Sequence, residues 1–232
     1  MIRTLILTLS LAGLALADDS KAAVEADAKA RVDALKAAAK EKDSEPRAQA
    51  IASCGEVAHP LTAAAVAPFL GDPVEDVRLQ AAKALGRMAG LAEAAKALHN
   101  GLKANEAKPK VLNEIFTAMG DVNSFSSVAV CKDWINGRIT KRDTSDQTSI
   151  NYAIECLGNL KFKASVTTLI DLGKKNIVAN GARGGHGMRA RSDVRFNRAL
   201  QQLTAESFED VDSWDDWWKK SAGKFNEDMT IR

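Results

Sequence analysis

A glycine recurs through the middle of the chain at the end of the same nine-residue pattern. Four segments align on it without gaps: RAQAIASCG (47–55), RLQAAKALG (78–86), LNEIFTAMG (112–120) and INYAIECLG (150–158). One residue before the glycine stand Cys54, Leu85, Met119 and Leu157; four before it stand Ile51, Ala82, Phe116 and Ile154; five before it stand Ala50, Ala81, Ile115 and Ala153. Apolar residues at those offsets fall on one stripe of an α-helix. The glycine sits where a helix C′ residue turns left-handed, which only glycine does without strain. The glycines are 31, 34 and 38 residues apart, the length of a two-helix unit. A single unit of this kind cannot bury its own stripe, so the units must stack.

Composition agrees with helices. Of 232 residues, 46% are hydrophobic, 5% aromatic, and 40 are alanine, the best helix former and a poor strand former. The fold class expected is all-α. With 32 basic and 30 acidic residues, a formal charge of +2, the chain does not read as a specific nucleic-acid binder.

Each first helix of a unit carries a start signal. Asp72-Pro73-Val74-Glu75 places a capping acid, a proline at the first helical position and an acid at N3; Ser44-Glu45-Pro46 and Ser145-Asp146 are looser versions. Second helices are expected near 61–70, 91–104, 124–135 and 163–173. The stretch VAPFLGDPVEDVRLQAAKALGRMAG (66–90) resembles a HEAT repeat, most closely the HEAT-like repeats of phycobilisome lyases, through Leu70, Asp72, Val77-Arg78, Ala81-Ala82 and Leu85-Gly86. The resemblance extends over roughly 44–204 and implies an α-solenoid of about five helix pairs. It also implies a polar ladder of Asp and Arg between successive inner helices, with Asp72 and Arg78 in those places and Arg47 supplying the Arg half alone.

Both ends depart from the repeat. Residues 18–43 read as a helix with a thin apolar face of Val24, Ala28, Val32, Leu35 and Ala39, suited to cap the first repeat. At the other end, DVRFNRALQQLT (193–204) is expected to be a fifth inner helix, after a Gly/Arg-rich loop at 180–192. From Lys174 to Arg198 there are seven basic residues and one acid. Lys174, Lys175, Arg183, Arg189, Arg191 and Arg195 are therefore the candidate surface for an anionic polymer or an acidic partner. Residues 205–232 are read as a C-terminal cap rich in tryptophan. Six of the twelve aromatics follow residue 195, and Trp214, Trp217 and Trp218 share one face of a helix begun by Asp212 or Ser213. Those indoles either close the last repeat or form an exposed platform for sugar or peptide. LTAESFEDVDSWDDWWKK (203–220) is similar to the tail of exported bacterial HEAT-like proteins, a likeness that implies no activity. Eight acids against three lysines between Glu206 and Asp228 could neutralise the basic stretch from within.

Residues 1–17, MIRTLILTLSLAGLALA, have the order of an export signal: Arg3, an apolar core from Leu5 to Leu16, and the small-x-small site Ala15-Leu16-Ala17. Cleavage before Asp18 is expected, placing the product in the periplasm or outside the cell. The apolar core is too short to span a bilayer, which takes roughly 20 residues. Cys54, Cys131 and Cys156 form no metal or haem pattern and are read as small buried hydrophobes without a structural disulfide. Cys131 with Cys156, assigned to one helix pair, is the only pairing the repeat layout admits.

Catalytic patterns are missing: there is no G-x-S-x-G, P-loop, dinucleotide fingerprint or His-Glu pair, and His59, His99 and His186 stand singly. No metal or cofactor is expected. The function expected is a non-catalytic exported scaffold, a monomer, that docks a protein or polymer on its concave inner-helix face. The alternative is a lyase-like or accessory enzyme with its site at the Arg-rich loop and tail.

Overall fold

The computed structural model describes the backbone of residues 3–139, 147–179 and 193–232, and side chains within 20–139, 147–176 and 193–232. Eleven α-helices stand among the described residues: α1 (Arg3–Ala38), α2 (Ser44–Cys54), α3 (Pro60–Val66), α4 (Glu75–Gly86), α5 (Ala92–Ala104), α6 (Pro109–Val122), α7 (Ser126–Ile139), α8 (Gln147–Asn159), α9 (Lys163–Ala179), α10 (Val194–Thr204) and α11 (Val211–Ser221). A 3-10 turn, Ala67–Gly71, extends α3, and another, Ala222–Lys224, follows α11. The only strand-like pairing among the described residues is one bridge between Phe225 and Ile231.

The helices form two rows. In the inner row α2 packs on α4, α4 on α6, α6 on α8 and α8 on α10; in the outer row α3 packs on α5, α5 on α7, α7 on α9 and α9 on α11. That is an α-solenoid of five helix pairs, with α1 laid across α2 and α3 at one end. The tail helix α11 takes the outer place of the fifth pair. Its start is capped by Asp210, whose carboxylate accepts from the Ser213 backbone at 2.8 Å, two residues before the expected Asp212.

The apolar stripe lies where its spacing puts it. Ile51, Cys54, Ala81, Ala82, Leu85, Ile115, Phe116, Met119, Ala153, Ile154 and Leu157 are all buried between the rows. Two features of the helix ends differ from expectation. Helix α4 begins at Glu75, after a turn in which the Asp72 carboxylate accepts from the Val74 backbone at 2.8 Å, so Pro73 precedes the helix. The aligned glycines are also not left-handed caps. Gly55 has φ −67°, while Gly86, Gly120 and Gly158 lie within their helices. Left-handed caps are made instead by Asn123 (φ 52°) and Ala205 (φ 60°), and Gly90 (φ 74°) turns the chain after α4.

What the glycines provide is close approach. A Cβ on Gly55 would lie 2.7 Å from the Ala84 Cα; on Gly86, 3.0 Å from the Ala118 Cβ; on Gly120, 2.9 Å from the Asn159 Cβ; on Gly158, 3.0 Å from the Ala199 Cα. Each repeat thus presses its glycine against the next inner helix, with a partner small enough to accept backbone contact in three of the four seams.

At the N-terminal end, Ala28 and Leu35 are buried against the first pair, whereas Val24 is exposed. Arg31 fastens α1: its guanidinium donates to the Ser53 carbonyl at 2.6 Å and hydroxyl at 2.8 Å, to Glu56 at 2.6 Å and to Asp27 at 3.0 Å. The side chains of the expected export segment 1–17 lie outside the described residues, although its backbone from Arg3 belongs to α1. Among the described residues no helix is long and apolar enough to cross a membrane.

Candidate interaction surface

The seams between inner helices carry the polar ladder. Arg47 on α2 pairs with Asp72 at 3.4 Å, both nearly buried, and donates to the carbonyls of Glu41 (2.8 Å) and Asp43 (3.1 Å). One repeat on, Arg78 donates to the Asp72 carbonyl and, at 3.1 Å, to the Asn105 side-chain oxygen. Asn105 stands between α5 and α6 as Asp72 stands between α3 and α4. It is fully buried, and its amide nitrogen donates to the Leu70 and Gly101 carbonyls at 2.9 Å each. The second rung thus replaces a carboxylate by an amide, a substitution that the Asp/Arg pattern did not reveal. Helix α6 has no arginine. Across the third seam the Asn123 side chain accepts from the Lys161 backbone at 3.0 Å instead. The fourth seam regains a rung, with Arg195 donating to Asn151 and, at 3.0 Å, to Gln147.

Arg195 is also bound to Asp193, the cap of α10, at 2.8 Å. Burial pushes the Asp193 carboxyl up, but Arg195, with Asn176 donating at 3.1 Å, holds it below the usual carboxylate range. Of the other expected cations, Lys174 pairs with Asp215 at 2.7 Å and Lys175 donates to Asn136 at 3.2 Å. Lys174, with Lys219 at 2.7 Å, lowers the Asp215 carboxyl. The three described cations are therefore each engaged within the molecule. Arg183, Arg189 and Arg191, with the loop 180–192, lie outside the described residues.

The tryptophans turn inward. Trp214 is fully buried and donates to Asn197 at 3.1 Å; Trp218, nearly so, donates to Thr167 at 3.1 Å; Trp217 is half-buried between them. Edge-on contacts of Trp214 with Phe208 (4.9 Å) and Trp217 (6.0 Å) join the indoles into one cluster that seals α9 and α10.

The two described histidines serve the structure, and His186 lies outside the described residues. His59 caps α3, its Nδ1 accepting from the Leu61 backbone at 3.2 Å. The His99 Nε2 meets the Ser127 hydroxyl at 2.9 Å, a serine–histidine contact that no sequence pattern announces. Ser127 is fully buried, so no substrate reaches it, and the bond ties α5 to α7. Among the described residues no group of His, Cys, Asp and Glu could hold a metal ion.

What remains open is the outward face of the inner row. Between α2 and α4 runs a groove of about 350 Å³ lined by Glu45, Gln49, Asp76, Gln80 and Lys83. Between α4 and α6 a groove of about 470 Å³ sets Lys83 and Arg87 on one wall against Glu114 and Asp121 on the other, with Gly86 as its floor. Partial burial pushes the Asp121 carboxyl up. Between α8 and α10 lies a smaller groove of about 140 Å³ with Asn151, Glu155, Arg198 and Gln202. The glycine seams bring the helices close enough for side chains of neighbouring repeats to share each groove.

Residues 32–127 match the family model described as HEAT repeats, from the last turns of α1 through α6 to the start of α7. HEAT repeats are commonly protein-interaction scaffolds. No curated protein matches the chain significantly. Over 32–127 the chain is thus similar to HEAT repeats, and beyond them the same two-row stacking continues to α11.

Proposed function

We propose that the chain is a non-catalytic scaffold that takes a protein partner on the outward face of its inner helices. The observation that carries this reading is the α4–α6 groove, where two cations face two acids and none of the four is drawn into an ion pair or hydrogen bond among the described residues. Elsewhere, Arg31, Arg47, Arg195 and Asp215 are each held in an ion pair. A surface that keeps both signs unpaired suits a partner segment that itself carries an acid and a base, and such complementarity sets register and suppresses wrong partners. Of the parts the enzyme alternative would use, the tail indoles of Trp214 and Trp218 face inward, and the Arg-rich loop 180–192 lies outside the described residues. We further propose that residues 1–17 direct export and are removed before Asp18, which puts the partner in the periplasm or outside the cell.

Affinity capture from that fraction, run with the parent chain and with Lys83→Glu/Arg87→Glu, tests the surface. A partner retained by the parent and lost by the variant supports it, provided both melt alike; equal retention overturns it. N-terminal sequencing of the exported product tests the leader, and an intact Met1 in the cell pellet overturns that part.

A further inference from the structure

We propose that Cys131 and Cys156 are a cross-linking site, joined as a cystine that ties α7 to α8 across the third seam. The expected assignment of both to one helix pair is corrected by the structure: Cys131 lies on the outer helix of the third pair and Cys156 on the inner helix of the fourth. The bridge would therefore join neighbouring repeats. Both sulfurs are free, both residues are buried, and the two thiols lie in side-chain contact where α7 packs on α8. Cys54 is on α2, its thiol directed at the Arg31 carbonyl at 3.6 Å, so the pairing has no competitor within the chain. The location adds a second reason. The first, second and fourth seams carry an arginine rung, and the third, with no arginine on α6, is the one that a covalent rung would supply.

The chemistry is thiol–disulfide exchange with a small-molecule disulfide as oxidant. One cysteine thiolate attacks the oxidant and releases one thiol, forming a mixed disulfide. The other cysteine then attacks the protein sulfur, closes the bridge and releases the second thiol; two electrons pass to the oxidant, and the two cysteine protons end on the released thiols. Timing follows from burial. In the folded dithiol neither sulfur is open to an oxidant, and burial, together with the neighbouring Cys156, holds the Cys131 thiol well above its ordinary range, which starves the attack of thiolate. The bridge therefore forms while the chain folds, before α7 closes on α8.

The full chain is unfolded with reductant, freed of it, and refolded in oxidised glutathione. A parallel sample is folded first and then given the same oxidant. After alkylation of free thiols, intact mass and peptide mapping read the result. Expected in the refolded arm are loss of the mass of two hydrogens, a mapped Cys131–Cys156 link, an alkylated Cys54, and a native helical spectrum with a melting point above that of the reduced chain. The prefolded arm should cross-link much more slowly. Cys131→Ala should abolish the mass loss and leave Cys54 and Cys156 unlinked. Recovery of Cys131 and Cys156 as alkylated thiols or glutathione adducts after oxidative refolding overturns the proposal, as does a bridged product without the native spectrum.

Discussion

The first three helix pairs and the last two solve the same stacking problem with different materials. In the first three, inner helices meet through Gly55 against Ala84 and Gly86 against Ala118, and arginine rungs from Arg47 and Arg78 reach the next repeat. The last two keep one such contact, Gly158 against Ala199, but close their end with Phe196, Phe208, Trp214, Trp217 and Trp218. A seam built on missing atoms fails when atoms are added. A cap built on indoles fails when they are removed, and the contrast separates two kinds of sensitivity along one chain.

The largest effect is expected at the cap. Trp214→Ala removes a fully buried indole and its bond to Asn197, and should lower stability by about 3–5 kcal/mol in chemical denaturation. Next comes the opposite test. Gly55→Ala adds one carbon that meets the Ala84 backbone at 2.7 Å and should cost about 1–3 kcal/mol, because backbone cannot swing aside. Gly137, inside α7 with nothing within 4 Å of its would-be Cβ, is the control: Gly137→Ala should stabilise by roughly 0.5–1 kcal/mol. If Gly55→Ala and Gly137→Ala shift the midpoint in the same direction, close approach is not what the repeat glycines supply. Arg47→Ala leaves Asp72 without its ion pair and removes the side-chain donor to the Glu41 and Asp43 carbonyls, for about 2 kcal/mol.

The smallest expected effect is a pH slope. Burial holds the His99 pKa below its ordinary value, so the unfolded chain takes up the proton first. The contribution is intact above about 6.5 and is lost as pH falls from there toward the lowered folded value. His99→Gln should flatten the fall in melting temperature as the pH is lowered from 7. An unchanged slope in the variant would assign the loss to another group.

Much of this fold was legible because stacking imposes a period on the sequence. The offsets that placed Leu85, Ile115 and Leu157 on one stripe are dictated by the helix itself, and the outer helices follow from the length left between glycines. The glycines' purpose was not legible. A glycine near a helix end satisfies a left-handed cap and a tight contact equally well, and only the neighbouring helix, named by no local signal, decides between them. The same holds for Asn105, which substitutes for an acid at a distance in sequence, and for Cys131, whose partner depends on which of two adjacent pairs its helix faces. The grooves were not legible residue by residue, because Lys83 and Glu114 meet only once the seam is closed. The cations at 174–195 stood out by number, yet Lys174, Lys175 and Arg195 turned out to have local partners that a count of charges does not see.

The glycine contacts also separate two lengths that a repeat protein could have been forced to keep in step. Between successive glycines the chain grows from 31 to 34 to 38 residues, yet each seam closes through one small approach between neighbouring helices. Rise along the stack is thus fixed by that approach, while the number of residues per turn of the stack is free. Connectors of different length are compatible with the same glycine contacts, so such a chain can change what it displays while keeping the frame that displays it.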